Sequence, residues 1–462
     1  MTRGFYEPAA DTTNFYVNVD NDSGSEDGLS HATGFKDIQD GLDGATVGQV
    51  LWVHQGATFQ GTTEAAYKVS GGNKTFTRNA LRHDETGTYA GQTYGFHIIG
   101  YANGNTLETV HGNDRPKLLG RVTNGGQMTV PSGAMLSNFV VEGWKYGSNN
   151  NTSSSLAIEC GTMTNCHIIS TDDFVGTTAN HNAGLVMSIS AKTQCYNCEF
   201  EDRLSQTNFT TFTRNTGSEG PFNTNEGRFH NCVFRFAGDA AWSAFLKVRV
   251  AHGDGGEFYD CIFIGNGNQV GVHSRAGQDG GGSSSTGAFT TNSMPGQYQH
   301  FFERCIFYNM NTGFRFYAPS SAGNINTELK WAAHKGRKYW VKDCIFHTCQ
   351  TGILQSSYSD PTSWSSGTFH MGGHNIVDSP VFYNMTSAQT SGDMTVLNPT
   401  TCTEDPFVDA ANGDFRLNNK AGGGALLKNR DFPANGFSSV VKSPRRHFER
   451  VNTPVREITR SV

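Results

Sequence analysis

Six short segments of the chain repeat one arrangement of polar and apolar positions. Each has a polar residue, a cysteine, one variable residue, then Phe or Ile. They read TNCHII around Cys166, YNCEFE around Cys198, HNCVFRF around Cys232, YDCIFI around Cys261, ERCIFY around Cys305 and KDCIFH around Cys344. Cysteine and aromatic stand two residues apart, so in a strand they share a face. The residue before the cysteine is usually Asn or Asp, a turn former. Each unit therefore predicts a turn followed by a short strand with Cys and Phe turned inward.

The cysteines recur at intervals of 32, 34, 29, 44 and 39 residues. Weaker copies put Phe139 and Asn375 in the cysteine position, and YGFHIIG around Phe96 has a similar pattern. A single strand of this kind cannot bury its apolar face. Stacking successive units at about 4.8 Å does bury it and aligns like on like. A period of this length with variable insertions is the signature of a solenoid. The expected interior holds a cysteine ladder beside an aromatic ladder. Small buried apolar thiols fit that position better than disulfides between rungs. Cys195 and Cys198 form a lone C-x-x-C whose members, in a continuous strand, face opposite ways, which argues against a zinc or redox pair.

Two end segments carry a resemblance. FYVNVDNDSGSEDGLSHATGFKDIQDGLDGATVGQVLWVHQGATFQGT (Phe15–Thr62) resembles the opening of right-handed parallel β-helix proteins of the pectate-lyase-like superfamily, a group that includes phage tailspike and virion β-helix proteins. EDPFVDAANGDFRLNNKAGGGAL (Glu404–Leu426) resembles the closing segment of the same group. The resemblance implies an all-β chain, a single-chain right-handed parallel β-helix with an N-terminal capping helix and a C-terminal extension. The expected divisions are a leader and cap over 1–45, the β-helix over 46–400, and an exit segment with a basic extension over 401–462. Phe35, Ile38 and Leu42 give the apolar stripe of a short capping helix. QVLWVHQG then alternates Val50, Trp52 and His54 against Leu51 and Val53 as the first coil strand. The fold resemblance does not carry a function, because the group includes lyases, hydrolases, epimerases, adhesins and tailspikes.

Composition agrees with many short strands joined by turns: 55 glycines and only 16% charged residues. The net charge of −6 leaves no overall nucleic-acid footprint. The C-terminal residues from Lys442 are the exception, with Arg445, Arg446, Arg450, Arg456 and Arg460 forming a basic extension that suits docking on an acidic partner. No apolar run is long enough to span a membrane. The first residues, MTRGFYEPAADTTNFYVNV, lack an apolar signal core, so the expectation is folding in a cytoplasm unless a signal was removed.

A filled solenoid leaves only outward side chains for chemistry. FLKVRVAHGDGG is expected to turn Val248 and Val250 inward and Lys247 and Arg249 outward. VGVHSRAGQDGG offers His273 and Arg275, and GFRFYAP offers Arg315. Stacked on one face, Lys247, Arg249, His273, Arg275 and Arg315 would make a basic stripe able to hold an acidic polysaccharide. Asp254 and Asp279, in adjoining glycine-rich loops, are with His273 the candidate catalytic groups. Asp172/Asp173 and Glu199/Glu201/Asp202 are further carboxylate candidates for a hydrolase. LKWAAHKGRKYW (Leu329–Trp340) reads as a basic, aromatic insertion: a packed loop, a subunit contact or a surface for an acidic ligand. The oxygen-rich loop DNDSGSEDG makes Asp20, Asp22 and Asp27 candidates for Ca²⁺, although Gly24 breaks the EF-hand register. No other cofactor is called for.

Two function classes follow. One is a non-enzymatic virion protein of a tailed bacteriophage: a tail spike or fibre, or a capsid-decorating protein. It would be a homotrimer that docks on other virion proteins through the C-terminal extension and meets a surface polysaccharide. Such a protein folds in the host cytoplasm and resides in the virion. The other is a secreted polysaccharide lyase or glycoside hydrolase acting on an acidic polysaccharide.

Overall fold

The computed structural model describes residues 14–38, 40–41, 50–55, 67–68, 97–101, 115–119, 128–130, 135–142, 156–158, 162–170, 187–189, 194–202, 222–224, 228–236, 246–249, 257–268, 270–275, 299–317, 338–355, 375–391, 394–428, 430, 432 and 437–438. Their strands form three long sheets of 12, 11 and 9 strands in which every pairing is parallel, and a small antiparallel sheet of three strands near the C-terminus. One coil visits the three long sheets in turn. The coil of Cys261, for example, runs Glu257–Tyr259, Ile262–Ile264, then Val270–Arg275. This is a parallel β-helix.

From Asn138 to Asn398, one residue per described coil sets the corner between the first and second sheets. Asn138, Asn165, Asn197, Asn231, Asp260, Arg304, Asp343, Ser379 and Asn398 all have φ between 49° and 63°. Asn and Asp tolerate this left-handed conformation because their short polar side chains bond locally. Here they also bond between rungs: Asn165 Nδ2 donates to Asn138 Oδ1 at 2.8 Å, and Asn231 Nδ2 to Asn197 Oδ1 at 2.7 Å. Where the chain has Arg304 instead, its guanidinium meets Asp260 one rung below at 2.7 and 3.2 Å.

The corner corrects the strand reading of the cysteines. Each ladder cysteine lies in the bend just after the left-handed residue, not inside the strand. Because Asn197 turns the chain between them, Cys195 and Cys198 both point inward, at 0% and 2% exposure. The six repeat cysteines are buried and free. Their thiols donate to backbone carbonyls of the preceding coil: Cys261 to Phe229 at 3.6 Å, Cys305 to Phe258 at 3.5 Å and Cys344 to Phe302 at 3.3 Å. Burial pushes the thiols of Cys166, Cys198, Cys261 and Cys344 well up. Phe139 does occupy the cysteine position of its coil, directly after Asn138. Asn375 does not: it begins a first-sheet strand paired to Tyr339, and Pro380, after Ser379, takes the corner position. Phe96 lies outside the described residues. The HII after it belongs to the first sheet, Ile98 pairing with Leu136, so it is not a second-sheet copy of NCHII.

Inside, register converts sequence repeats into ladders. Phe200, Phe234, Phe263, Phe307 and Phe346 stack along the second sheet with centroids 4.7 to 4.9 Å apart. Phe229, Phe258 and Phe302 stack along the first at 4.6 and 4.5 Å. These spacings are the strand spacing itself. Burial of each ring is worth about 1.5–3 kcal/mol. On the third sheet Val272, Phe314 and Ile353 continue the core in register. Gly313 lets that sheet close: a Cβ there would lie 2.6 Å from Phe346 and 2.8 Å from the Gly352 carbonyl.

Both ends are covered by chain of other character. Ile38, Asp40 and Gly41 are helical, Ile38 is buried, and a Cβ on Gly41 would lie 2.4 Å from Val17, so this turn packs on the first coil. Phe35 instead forms a β-bridge with Val17, and Leu42 lies outside the described residues. Val50 and Trp52 lie in a different apolar cluster from Leu51 and Val53, as the alternation requires. Tyr16 and Tyr101 pack around Trp52, while His31 and Tyr101 pack against His54, so all of Val50–His54 is buried. Of the insertion Leu329–Trp340, Lys338–Trp340 open a first-sheet strand; the rest lies outside the described residues, as does Val250.

At the other end, the antiparallel strands Phe407–Asp409, Asp414–Leu417 and Phe437–Ser438 form a lobe. Phe407, Phe415, Leu427 and Phe432 pack on a row of outward aliphatics along the second sheet: Val233, Ile262, Ile306, Ile345 and Val381. His347 anchors this seam. Its Nε2 lies 3.1 Å from Asp405 Oδ1, and Tyr383 and Phe407 flank its ring.

Two outcomes follow from this packing. Thiol reagents should leave the six ladder cysteines unmodified in the folded protein and label them in denaturant; mass spectrometry after pulsed alkylation reads this, and rapid labelling of any rung in native buffer contradicts the dry column. Burial holds the His347 imidazole below its ordinary pKa, against the opposing pull of Asp405. The unfolded chain therefore takes up a proton below about pH 6.5 that the folded chain resists. Stability should be full above that pH and fall as pH drops through it, and His347→Asn should flatten the fall in urea midpoint between pH 7.5 and 5.5. An unchanged slope would show that His347 does not carry it.

Candidate functional site

Two sheets bring chemistry-bearing positions together. The first group is on the third sheet. Register pairs Lys247 with His273 and His273 with Arg315. It also pairs Arg249 with Arg275 and Arg275 with Tyr317. All five basic positions expected from the sequence thus fall into two adjacent rows across the strands Leu246–Arg249, Val270–Arg275 and Thr312–Tyr317. Val272 and Phe314 are fully buried, whereas Arg315, next to Phe314, is partly exposed. Asp254 and Asp279 lie outside the described residues, as do Asp172, Asp173 and the basic residues Arg445, Arg446, Arg450, Arg456 and Arg460.

The second group is on the second sheet, where His167, Glu199, Glu201 and Arg235 meet. His167 and Glu199 are register partners on the strands His167–Ser170 and Glu199–Asp202, and Glu201 pairs with Arg235 on Val233–Phe236. His167 Nε2 lies 2.8 Å from Glu201 Oε2 and 4.0 Å from Glu199 Oε2. Arg235 Nε donates to the other oxygen of Glu199 at 3.0 Å. Glu201 is 7% exposed, a nearly buried carboxylate. Arg115 donates to the Asn165 carbonyl at 2.9 Å; burial lowers its pKa, and the charge of Glu199 raises it. The group stands where the second sheet changes character. In the same rows, later coils place Val233, Ile262 and Ile306 under the C-terminal lobe.

From the sequence, Glu199 and Glu201 were legible only as carboxylates. His167 and Arg235 come from neighbouring coils, 34 residues before Glu201 and 36 after Glu199. Aligning the repeats on their cysteines is the signal that reaches them. His167 and Glu199 each follow the cysteine by one residue, and Glu201 and Arg235 follow it by three.

The three Ca²⁺ candidates go separate ways. The Asp20 carboxylate faces His54 Nδ1 at 3.7 Å, Asp22 is exposed, and Asp27 accepts from the Leu29 N–H at 3.0 Å. The Thr33 hydroxyl, then that N–H, hold the Asp27 carboxyl below its usual range. Asn21 organises the loop, its amide donating to the carbonyls of Ser25 and Gly34. Among the described residues, the group whose ligand atoms converge within 4.8 Å of one another is His167, Glu199 and Glu201.

No family model matches the sequence, and no curated protein matches it. Solved structures do show similarity. A rhamnogalacturonan lyase aligns over 89% of this chain and 94% of its own, at 13% identity and a TM-score of 0.45. ORF18 of Geobacillus virus E2 aligns over 84% of this chain and 60% of its own, at 10% identity and a TM-score of 0.35. Tailspike protein 3 of bacteriophage CBA120 aligns over 83% of this chain and 61% of its own, at 11% identity and a TM-score of 0.30. Among the described residues no helix is long and apolar enough to cross a membrane.

Proposed function

We propose that this β-helix is a non-enzymatic binding protein for an acidic polysaccharide, with the outer face of the third sheet as its glycan surface. The observation that carries the reading is the register of Lys247, His273 and Arg315 beside Arg249, Arg275 and Tyr317. Strand alternation sets these positions opposite the buried Val272 and Phe314. Cations repeated at the strand spacing suit an extended polyanion, because each sugar carboxylate or sulfate meets a new charge-assisted donor.

We further propose that the protein is a virion component of a tailed bacteriophage, a tail spike or fibre or a capsid-decorating protein. It would assemble as a homotrimer, with the C-terminal extension docking on another virion protein. The thiol column supports this. Six free cysteines stacked as neighbours suit folding in a reducing cytoplasm and would invite cross-linking on an oxidising export route.

The alternative, a polysaccharide lyase or glycoside hydrolase, has one observation in its favour: Glu199 and Glu201 stand on one face of one strand beside His167. Their described contacts are with His167 and Arg235, and they lie on a different sheet from the basic rows.

Binding to a panel of acidic and neutral polysaccharides, read by biolayer interferometry at two salt concentrations, tests the reading. Acidic glycans should bind, more weakly at high salt, and Arg315→Ala or Arg275→Ala should each weaken binding about tenfold or more. Equal binding of neutral glycans would overturn the surface assignment. Release of unsaturated products absorbing in the ultraviolet, or of new reducing ends, would overturn the non-enzymatic reading.

A further inference from the structure

We propose that His167, Glu199 and Glu201 form a binding site for a divalent transition-metal ion on the outer face of the second sheet. The site is separate from the basic rows, and its argument does not depend on the glycan reading.

The donor set is one imidazole nitrogen and two carboxylate oxygens. Nitrogen–oxygen sets suit Zn²⁺, Mn²⁺ and neighbouring first-row ions, whereas Ca²⁺ takes oxygen ligands alone. His167 Nε2 and Glu201 Oε2 share a hydrogen bond at 2.8 Å, which a bound ion would replace with small shifts of the two side chains. Bonds of about 2.0–2.2 Å put neighbouring ligand atoms about 3 Å apart and opposed ones about 4 Å apart. His167 Nε2 lies 2.8 Å from Glu201 Oε2 and 4.0 Å from Glu199 Oε2, and all three donors fall within 4.8 Å of one another.

The supporting contacts fit as well. Glu199 and Glu201 are two apart on one strand, and His167 is the register partner of Glu199, so the backbone fixes all three positions. Arg235 Nε takes Glu199 Oε1 at 3.0 Å and leaves Oε2 turned to His167. A hydrogen bond to the far oxygen is how ligating carboxylates are oriented. Glu201, 7% exposed, supplies a carboxylate already withdrawn from water. Three protein donors leave coordination positions open, so the ion can take water or an oxygen ligand such as a carboxylate or vicinal diol. The guanidinium charges of Arg235 and Arg115 oppose a cation and keep the affinity moderate.

The test uses the full-length protein without a histidine tag, stripped with EDTA and dialysed. Zn²⁺, Mn²⁺ and Ca²⁺ are titrated separately by calorimetry, with bound metal counted by mass spectrometry. The expected result is one Zn²⁺ or Mn²⁺ per chain, a metal-dependent rise in melting temperature, and no competition from Ca²⁺. His167→Ala and Glu201→Gln should each weaken binding at least tenfold. Glu199→Gln, at a more exposed position, should do the same and keeps the test decisive if the Glu201 variant does not fold. The proposal is overturned if no ion binds, if Ca²⁺ binds as tightly, or if binding survives in the folded variants, which would mark an adventitious ion only.

Discussion

Nine coils of this molecule each turn on one backbone residue held at positive φ. That residue ends the first-sheet strand, swings the next side chain into the interior and starts the second-sheet strand. Because the same conformation recurs at nine successive corners, the rungs superimpose and their side chains meet in kind. A left-handed conformation is unfavourable for an L-residue by about 1–2 kcal/mol. The asparagine side chains that bond from rung to rung offset this locally, and the aromatic ladders offset it many times over. Where the corner residue is Arg304 the chain uses an ion pair to Asp260 in place of the amide ladder.

Once the corner is fixed, the inside and outside of the solenoid become separate problems. Among the described residues the inside is filled by phenylalanine, cysteine and aliphatic columns. The outside differs by sheet and by coil. On the second sheet the position one residue after the corner cysteine is polar in the coils of Cys166 and Cys198, where it is His167 and Glu199. That position turns aliphatic from Cys232 onward, as Val233, Ile262, Ile306 and Ile345, where the C-terminal lobe covers it. On the third sheet, register aligns the positions of Lys247, His273 and Arg315 and those of Arg249 and Arg275. A solenoid presents such rows on rigid strands, so their spacing is set by the backbone and not by loops.

The buried polar groups at the seams show how the covering chain is attached. His347 binds Asp405 of the lobe from within an aromatic surround, and Arg430 reaches back to the Ser379 carbonyl and the Thr400 hydroxyl. At the other end His54, Asp20, His31 and Tyr101 tie the leader loop to the first coil. These contacts join segments far apart in sequence, and they make the lobe and the leader parts of the folded body.

The sequence by itself determined the solenoid, because strand period and coil period are both written in local residue types: Asn or Asp, then Cys, then Phe two residues on. It also determined that the cysteines are buried spacers and that five basic positions recur after them. It misjudged what depends on the corner: the common inward direction of Cys195 and Cys198, and the place of Asn375. Only the tertiary structure decided which residues of different coils touch. His167 reaches Glu201, and Arg235 reaches Glu199, through insertions of unequal length, and spacing along the chain does not reveal such contacts. The physical reason is that the covalent chain fixes a residue's place within its coil, while register between coils is fixed by the packing of side chains from coils formed by distant residues.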